Sequence, residues 1–233
     1  MSQFKGKVVF ITGAAQRLGK ELAIAFAQEG ATIAAHYNTA HKEAHALKQL
    51  LEKKTKIELF QYDLSNPKGI PGLVRRVTQK FKKIDILIHN ASVFYETKFS
   101  NVTQKDWDFI LNTNLKSAFF LTQAVTRRMK NGKIIFITDA SGPKTRGNYL
   151  PYWISKSGLE TFSETLAKVL MPHIQVNCIA PGPIGFKEDL KRFRKDITVS
   201  QQALCEAALY VAAPGTHLTG HTLLLDAGRR FVQ

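Results

Sequence analysis

Short apolar runs alternate along this chain with amphipathic stretches. Val8–Thr12, Thr32–His36, Ile57–Gln61, Ile84–His89, Lys133–Thr138, Ile174–Ile179 and Thr222–Leu225 are aliphatic or β-branched and mostly unbroken by charge. Between them, helical spacing marks Leu18–Gln28, His41–Lys53, Pro67–Lys82, Gln104–Met129, Pro151–Leu170 and Ser200–Ala212. The long Gln104–Met129 pattern is expected to break near Asn112–Asn114. Unbroken apolar strands alternating with helices predict a parallel sheet buried on both faces. The predicted fold is therefore a single doubly wound, Rossmann-type α/β domain spanning residues 1–233, its parallel sheet about seven strands wide. In such a sheet the ligand lies beyond the carboxyl ends of the strands.

Composition changes this picture little. Apolar residues make up 44% of the 233 and charged residues 22%, which is ordinary for a globular domain. The charge balance is less ordinary: 33 Lys plus Arg against 18 Asp plus Glu leave a net +15. Anionic partners are the usual reason for such an excess. Here the basic residues are dispersed over helices, as at Lys53, Lys54, Arg75, Arg76, Lys82, Lys83, Arg127 and Arg128. A solvated basic surface is the expected reading, and nucleic acid is not the expected partner. Cys178 and Cys205 sit among apolar residues and read as reduced thiols of a cytoplasmic protein. Phe4–Gly6 leads straight into a strand, so no signal peptide is expected, and no apolar run reaches the length of a membrane span.

The candidate chemistry falls at strand ends. After the first strand, Thr12-Gly13-Ala14-Ala15-Gln16-Arg17-Leu18-Gly19 opens a helix. A glycine turn leading into a helix N-terminus suits a pyrophosphate, though a plain strand–helix turn also needs small residues. The second strand ends in His36-Tyr37-Asn38-Thr39, with no carboxylate before Glu43 to take ribose hydroxyls. That tip, with Arg17, tolerates a 2′-phosphate and favours NADP(H) over NAD. Asp63-Leu64 ends the third strand, where Asp63 either accepts from an adenine amino group or caps the turn before Asn66-Pro67. Tyr152 and Lys156 lie four apart on one helix face. The lysine is expected to pull the phenol pKa down from about 10, making a proton donor.

Taken together, TGxxxRxG, Asn90-Ala91 after the fourth strand, Asn114, the YxxxK pair and Pro181-Gly182 resemble the short-chain dehydrogenase/reductase family from about Lys5 to Gly228. The resemblance implies an NADP-dependent oxidoreductase in which Tyr152 is the general acid or base and Lys156 bonds the nicotinamide ribose. It also implies that Asn114 holds a relay water and that Asn90, Ala91 and the stretch Pro181, Gly182, Pro183 and Ile184 line the nicotinamide site. Relatives are commonly tetramers, so a homo-oligomer, tetramer or dimer, is implied as well.

One departure narrows the substrate. Thirteen positions before the tyrosine, where most of the family has serine, stands Asp139. A carboxylate accepts hydrogen bonds and repels a developing alkoxide, so it suits a substrate with N–H donors or a C=N bond. A register slip that lets Thr138 replace the serine, or a loop shift that lets Ser141 do so, stays open. Phe94 follows Asn90-Ala91-Ser92-Val93 and either stacks a flat heterocycle or packs a loop. Arg17, His36-Tyr37-Asn38, Ser92, Phe94 and the Asp139–Tyr152–Lys156 set resemble the pteridine reductases, and most closely their bacterial dihydromonapterin/dihydrofolate reductase branch. The implied substrate is a dihydropterin (dihydromonapterin, dihydrobiopterin or dihydrofolate), oriented by Arg17, Ser92 and Asp139. The alternatives are a carbonyl reductase acting on 3-oxoacyl thioesters or sugars, and a non-enzymatic NADPH sensor or nucleic-acid binder.

Three other features are weighed. His41 and His45 share the i, i+4 spacing of metal ligands but lack a third, so no metal is expected. Ser155 and Ser157 flank Lys156 without the strand–turn–helix elbow of a hydrolase. A short lid is placed around residues 185–199, where the basic run Lys191–Lys195 is either solvated or attracts anions.

Overall fold

A computed structural model describes residues 2–140, 147–186 and 197–231. Seven strands form one parallel sheet: β1 (Val8–Ile11), β2 (Thr32–Tyr37), β3 (Ile57–Gln61), β4 (Ile86–His89), β5 (Gly132–Ile137), β6 (Ile174–Pro181) and β7 (Thr222–Leu225). Their order across the sheet is β3-β2-β1-β4-β5-β6-β7, with every pair parallel. The expected doubly wound domain is what folds.

Side-chain alternation along the strands assigns the two faces. Val9, Ile11, Ile33, Ile86, Ile88, Ile135 and Ile179 point to one side. There they meet Leu22 and Phe26 of α1 (Arg17–Gln28), Leu47 of α2 (His41–Leu51), and Leu204 and Ala208 of α7 (Gln201–Ala212). Phe10, Ala34, Phe60, Leu87, Ile134, Phe136 and Val176 point to the other. They are covered by α3 (Ile70–Phe81), α5 (Ser117–Thr126) and α6 (Leu150–Leu170). Both faces are dry, which is why the strands carry almost no polar alternation.

The predicted break in the long helix is a change of helical pitch. α4 (Gln104–Leu111) is started by a capping box between Thr103 and Asp106, runs into a π turn at Asn112–Lys116, and continues as α5. A π turn inserts one residue and rotates the helix beyond it. It carries Asn114 into the interior at 2% exposure.

The last strand leads into Asp226-Ala227-Gly228. Ala227 is exposed and has φ 51°, the left-handed region, while its neighbour Gly228 has φ 75°. A Cβ in that region costs about 1–2 kcal/mol. Ala227→Gly loses no packing, so it should stabilise the fold by about 0.5–1 kcal/mol, raising the thermal midpoint by roughly 2 °C. Calorimetry of the two proteins checks this.

Candidate active site

The strand order reverses at β1 and β4, and the crevice above their carboxyl ends is built around Thr12. Its hydroxyl accepts from the backbone N–H groups of Asn90 and Ala91, both at 3.0 Å, and lies 3.3 Å from the Ile88 carbonyl. The Asn90 amide donates to the carbonyls of Thr12 and Gly13, each at 3.0 Å. Asn90 therefore fastens the glycine turn to β4. Gly13 has φ 64°, and a Cβ there would stand 3.0 Å from Ala91 Cα, so the turn needs both the conformation and the space. At Gly19 a Cβ would collide with the Gly13 carbonyl oxygen.

The amino end of α1 faces this turn. Gln16 at the cap makes no side-chain bond to the helix, and no acid lies in the first turn. The terminal N–H groups are thus left without an anionic side chain of their own, and the helix dipole favours a bound anion. Arg17, the first residue of α1, is exposed with φ 51°, and its guanidinium lies 4.5 Å over the Phe186 ring. Left-handed backbone at a bulky residue is strained, and such strain concentrates at functional sites. Ala15 is buried against Tyr37 and Ala44, and Leu18 packs into the core.

The other residues expected to hold a dinucleotide take different parts. His36 is buried: Nδ1 accepts from Gly13 N–H at 3.2 Å, and Nε2 lies 3.0 Å from the Tyr62 carbonyl. Burial lowers its pKa to about 4, so the ring is neutral and pins the glycine turn to β2 and to the stretch after β3. Tyr37 is buried edge-on to His41, and Asn38 is exposed at the strand tip. Asp63 accepts from Ser65 N–H at 2.9 Å, closing its own turn, while Asn66 caps the short helix at Pro67–Gly69. The Leu64 side chain belongs to the core.

At the ends of β5 and β6 the reactive groups converge. Tyr152 and Lys156 lie on one face of α6, and both are nearly buried, at 6% and 5% exposure. The Tyr152 hydroxyl donates to Asp139 Oδ2 at 2.8 Å. Lys156 Nζ donates to the Ile137 carbonyl at 2.9 Å and lies 5.5 Å from the Tyr152 ring centre. The expected lowering of the tyrosine pKa by Lys156 is corrected here. Burial and then the Asp139 carboxylate hold the phenol well above its ordinary value. Phenolate would be a second anion beside a carboxylate, and the ammonium is turned to a carbonyl. Lys156 itself is brought down to about 8 by burial, with Asp139 as its largest opposing influence.

Asn114 supports this pair from the π turn. Its Oδ1 accepts from Val93 N–H at 2.8 Å, and Nδ2 donates to the Val93 carbonyl and to Ser155 Oγ, both at 3.1 Å. Ser155, fully buried, donates to the Tyr152 carbonyl. The side-chain N–H groups of Asn114 are thus committed to joining the β4 loop to α6. Thr138 is buried, with Oγ1 3.4 Å from the Ile179 carbonyl, and Ser141 lies outside the described residues, as does the basic run at 191–195.

An aromatic platform stands beside the phenol. Phe94 is 56% exposed, stacks on Tyr149 at 4.6 Å and 11°, and meets Tyr152 edge-on at 4.6 Å. Ser92 is exposed two residues earlier. The partnership of Tyr149 escaped the sequence reading, and its only signal was a second tyrosine three residues before Tyr152. Across the site, Gly182 N–H donates to the Leu225 carbonyl at 2.7 Å, and Ile184 bridges Val199. Gly185 N–H donates to the Val199 carbonyl and Val199 N–H to Pro183, so the neck of the expected lid is closed.

A doubly wound sheet with a glycine turn at its switch point and a buried Tyr–Lys pair at the next strand ends defines a nucleotide-dependent class of enzyme. The model of the short chain dehydrogenase family matches residues 7–196, and the chain belongs to that family. It is 29% identical over 97% of its length to the 3-oxoacyl-[acyl-carrier-protein] reductase FabG of Thermotoga maritima, covering 98% of that protein. It is 30% identical to the uncharacterized oxidoreductase YhxC of Bacillus subtilis, covering 97% of this chain and 85% of that one. Among solved structures, a blue fluorescent protein from a metagenomic library, in complex with NADPH, superposes with a TM-score of 0.90 at 27% identity over 97% and 98% of the two chains.

Proposed function

We propose that this protein is an NADPH-dependent reductase of a dihydropterin-type C=N bond. The observation that carries the reading is the 2.8 Å bond from Tyr152 to Asp139 in the place where the family pattern has serine. The cofactor half rests on an uncapped α1 terminus, the close glycine turn, Arg17 beside it and a β2 tip without carboxylate. These residues fit a phosphorylated dinucleotide, as does the NADPH complex of a similar structure. When bound, NADPH supplies the hydride. The Tyr152 phenol, held neutral, supplies the proton, so carbon gains hydride and nitrogen gains H⁺. Asp139 holds the phenol until ring N–H or amino donors of the substrate take over its acceptor oxygens. Phe94 and Tyr149 offer faces for a flat ring. We place a homo-oligomer contact on α4, α5 and α6, where Trp107, Phe109, Phe119, Phe120 and Ile154 are exposed.

A carbonyl reductase is the second reading, favoured by the similarity to 3-oxoacyl-[acyl-carrier-protein] reductases. NADPH oxidation with dihydrobiopterin, dihydromonapterin and dihydrofolate, against an acetoacetyl thioester and simple ketones, separates the two. Turnover of at least one pterin is expected. Reduction of ketones or thioester with no pterin turned over rejects the pterin reading.

A further inference from the structure

Near their amino ends β1, β4, β5 and β6 share one registered row: Val9, Ile86, Lys133 and Gln175. Alternation puts all four on the face covered by α1 and α7, where the next row runs Ile11, Ile88, Ile135 and Asn177. Asn177 commits its side chain to the Leu218 carbonyl and the His221 N–H. Gln175 differs: its Oε1 is buried and has no hydrogen-bond partner among the described residues. Lys133 Nζ donates to the Thr216 carbonyl at 3.0 Å. Both side chains line a cleft of about 250 Å³ under the end of α7, walled by Phe4, Ile86 and Pro172 and by the turn at Pro214–His217. The reaction site is elsewhere. From Lys133 the chain runs on to Asp139 at about 3.3 Å per strand residue, which sets the two about 20 Å apart.

We propose that this cleft binds a small organic carboxylate that carries a hydroxyl group. The proposal makes no use of the reaction assigned above. Packing alone would be served better by aliphatic residues at both polar positions, because an unpaired buried acceptor costs stability.

The lining selects the chemistry. Lys133 has three N–H donors and uses one, and among the described residues no carboxylate pairs with it. Burial lowers its pKa, so an anion beside it would favour the ammonium. Asp85, the one acid in the lining among the described residues, is already matched by Lys7 at 3.7 Å and Lys83 at 2.9 Å, and it accepts from Val8 N–H. The Lys133 charge is what remains for a ligand carboxylate to meet. The Gln175 oxygen only accepts, so the ligand must bring a donor, and a hydroxyl does so without placing a second cation beside Lys133. Phe4, Ile86 and Pro172 take an apolar body. The volume falls just under the range of about 300–1,000 Å³ found for drug-sized ligands, which keeps the molecule small.

The probes are mandelate, phenylacetate, which lacks the hydroxyl, and phenylethanediol, which lacks the charge. Titration calorimetry of the full chain, with and without saturating NADPH, measures each. Mandelate is expected to bind in the low millimolar range or tighter and to be indifferent to NADPH, with phenylacetate several-fold weaker and the diol about tenfold weaker. Lys133→Met keeps the aliphatic stem and should weaken mandelate about tenfold or more. Gln175→Met keeps the shape and should bring mandelate to the level of phenylacetate while leaving phenylacetate unchanged, a selectivity that a merely structural glutamine would not show. Thermal melts establish that each variant is folded. Should Lys133→Met fail to fold, Gln175→Met with the two acids still decides. Absence of saturable mandelate binding overturns the inference. So does displacement of mandelate by NADPH, which would put it in the reaction crevice, or a diol or phenylacetate that binds as tightly as mandelate. Variants whose mandelate affinities match the wild type overturn it as well.

Discussion

Tyr152→Phe should lower turnover by about two to four orders of magnitude, the range that a positioned proton donor contributes. The phenol is the one acidic group that the structure places between Asp139 and the aromatic platform among the described residues. Phenylalanine keeps the ring, its edge contacts with Phe94 and Trp153, and the backbone carbonyl that Ser155 uses. The fold should therefore lose only about 1 kcal/mol, the net worth of one hydrogen bond. NADPH affinity should change less than twofold, because the lost hydroxyl is bonded to Asp139 and not to the phosphate turn. Initial rates, cofactor fluorescence and a thermal melt measure the three quantities. A variant retaining more than a tenth of the wild-type rate would remove Tyr152 as the donor.

The protonation of that phenol is where sequence and structure part. Spacing alone puts Tyr152 and Lys156 on one face, and spacing alone suggested that the cation lowers the phenol pKa. Helix periodicity says nothing about which acceptor each polar tip finds. Ile137 is an ordinary core isoleucine in sequence, yet its carbonyl takes the ammonium. Asp139, thirteen residues from Tyr152, accepts the phenol's hydrogen bond instead. A neutral phenol suits an acid, the role required for reduction.

Fold and phosphate turn were more legible, for a physical reason. Strand and helix placement and the glycine turn follow from local rules of hydrophobic period and backbone conformation. The helix break near Asn112–Asn114 was readable because three polar residues interrupt an apolar stripe. That the break is a π turn was not, since pitch depends on what the inserted residue gains. Here Asn114 gains bonds to Val93 and Ser155, 21 and 41 residues away. Thr12 and His36 show the same limit. Both looked like strand-end residues near a ligand, and both are fasteners of the turn, through partners on β4 and on the stretch after β3.

Asp139→Ser decides between the two substrate classes, because the readings require opposite signs. If Asp139 accepts from substrate N–H groups, the serine variant loses a bond to a charged acceptor worth about 1.5–3 kcal/mol, or roughly 10- to 150-fold in pterin kcat/KM. Serine also supplies what a carbonyl substrate needs, a hydroxyl able to donate to the developing oxyanion. Removing the carboxylate takes away one of the two influences that hold the phenol high, and burial remains. The phenol pKa should thus fall, and a spectroscopic titration of Tyr152 against Tyr152→Phe would register it. Rates with dihydrobiopterin and an acetoacetyl thioester, measured side by side, give the sign. Pterin turnover falling while thioester turnover holds or rises supports Asp139 as the acceptor that selects the substrate. Pterin turnover unaffected by the serine would leave the carboxylate without a role in selection, and Phe94 and Tyr149 would have to account for it alone.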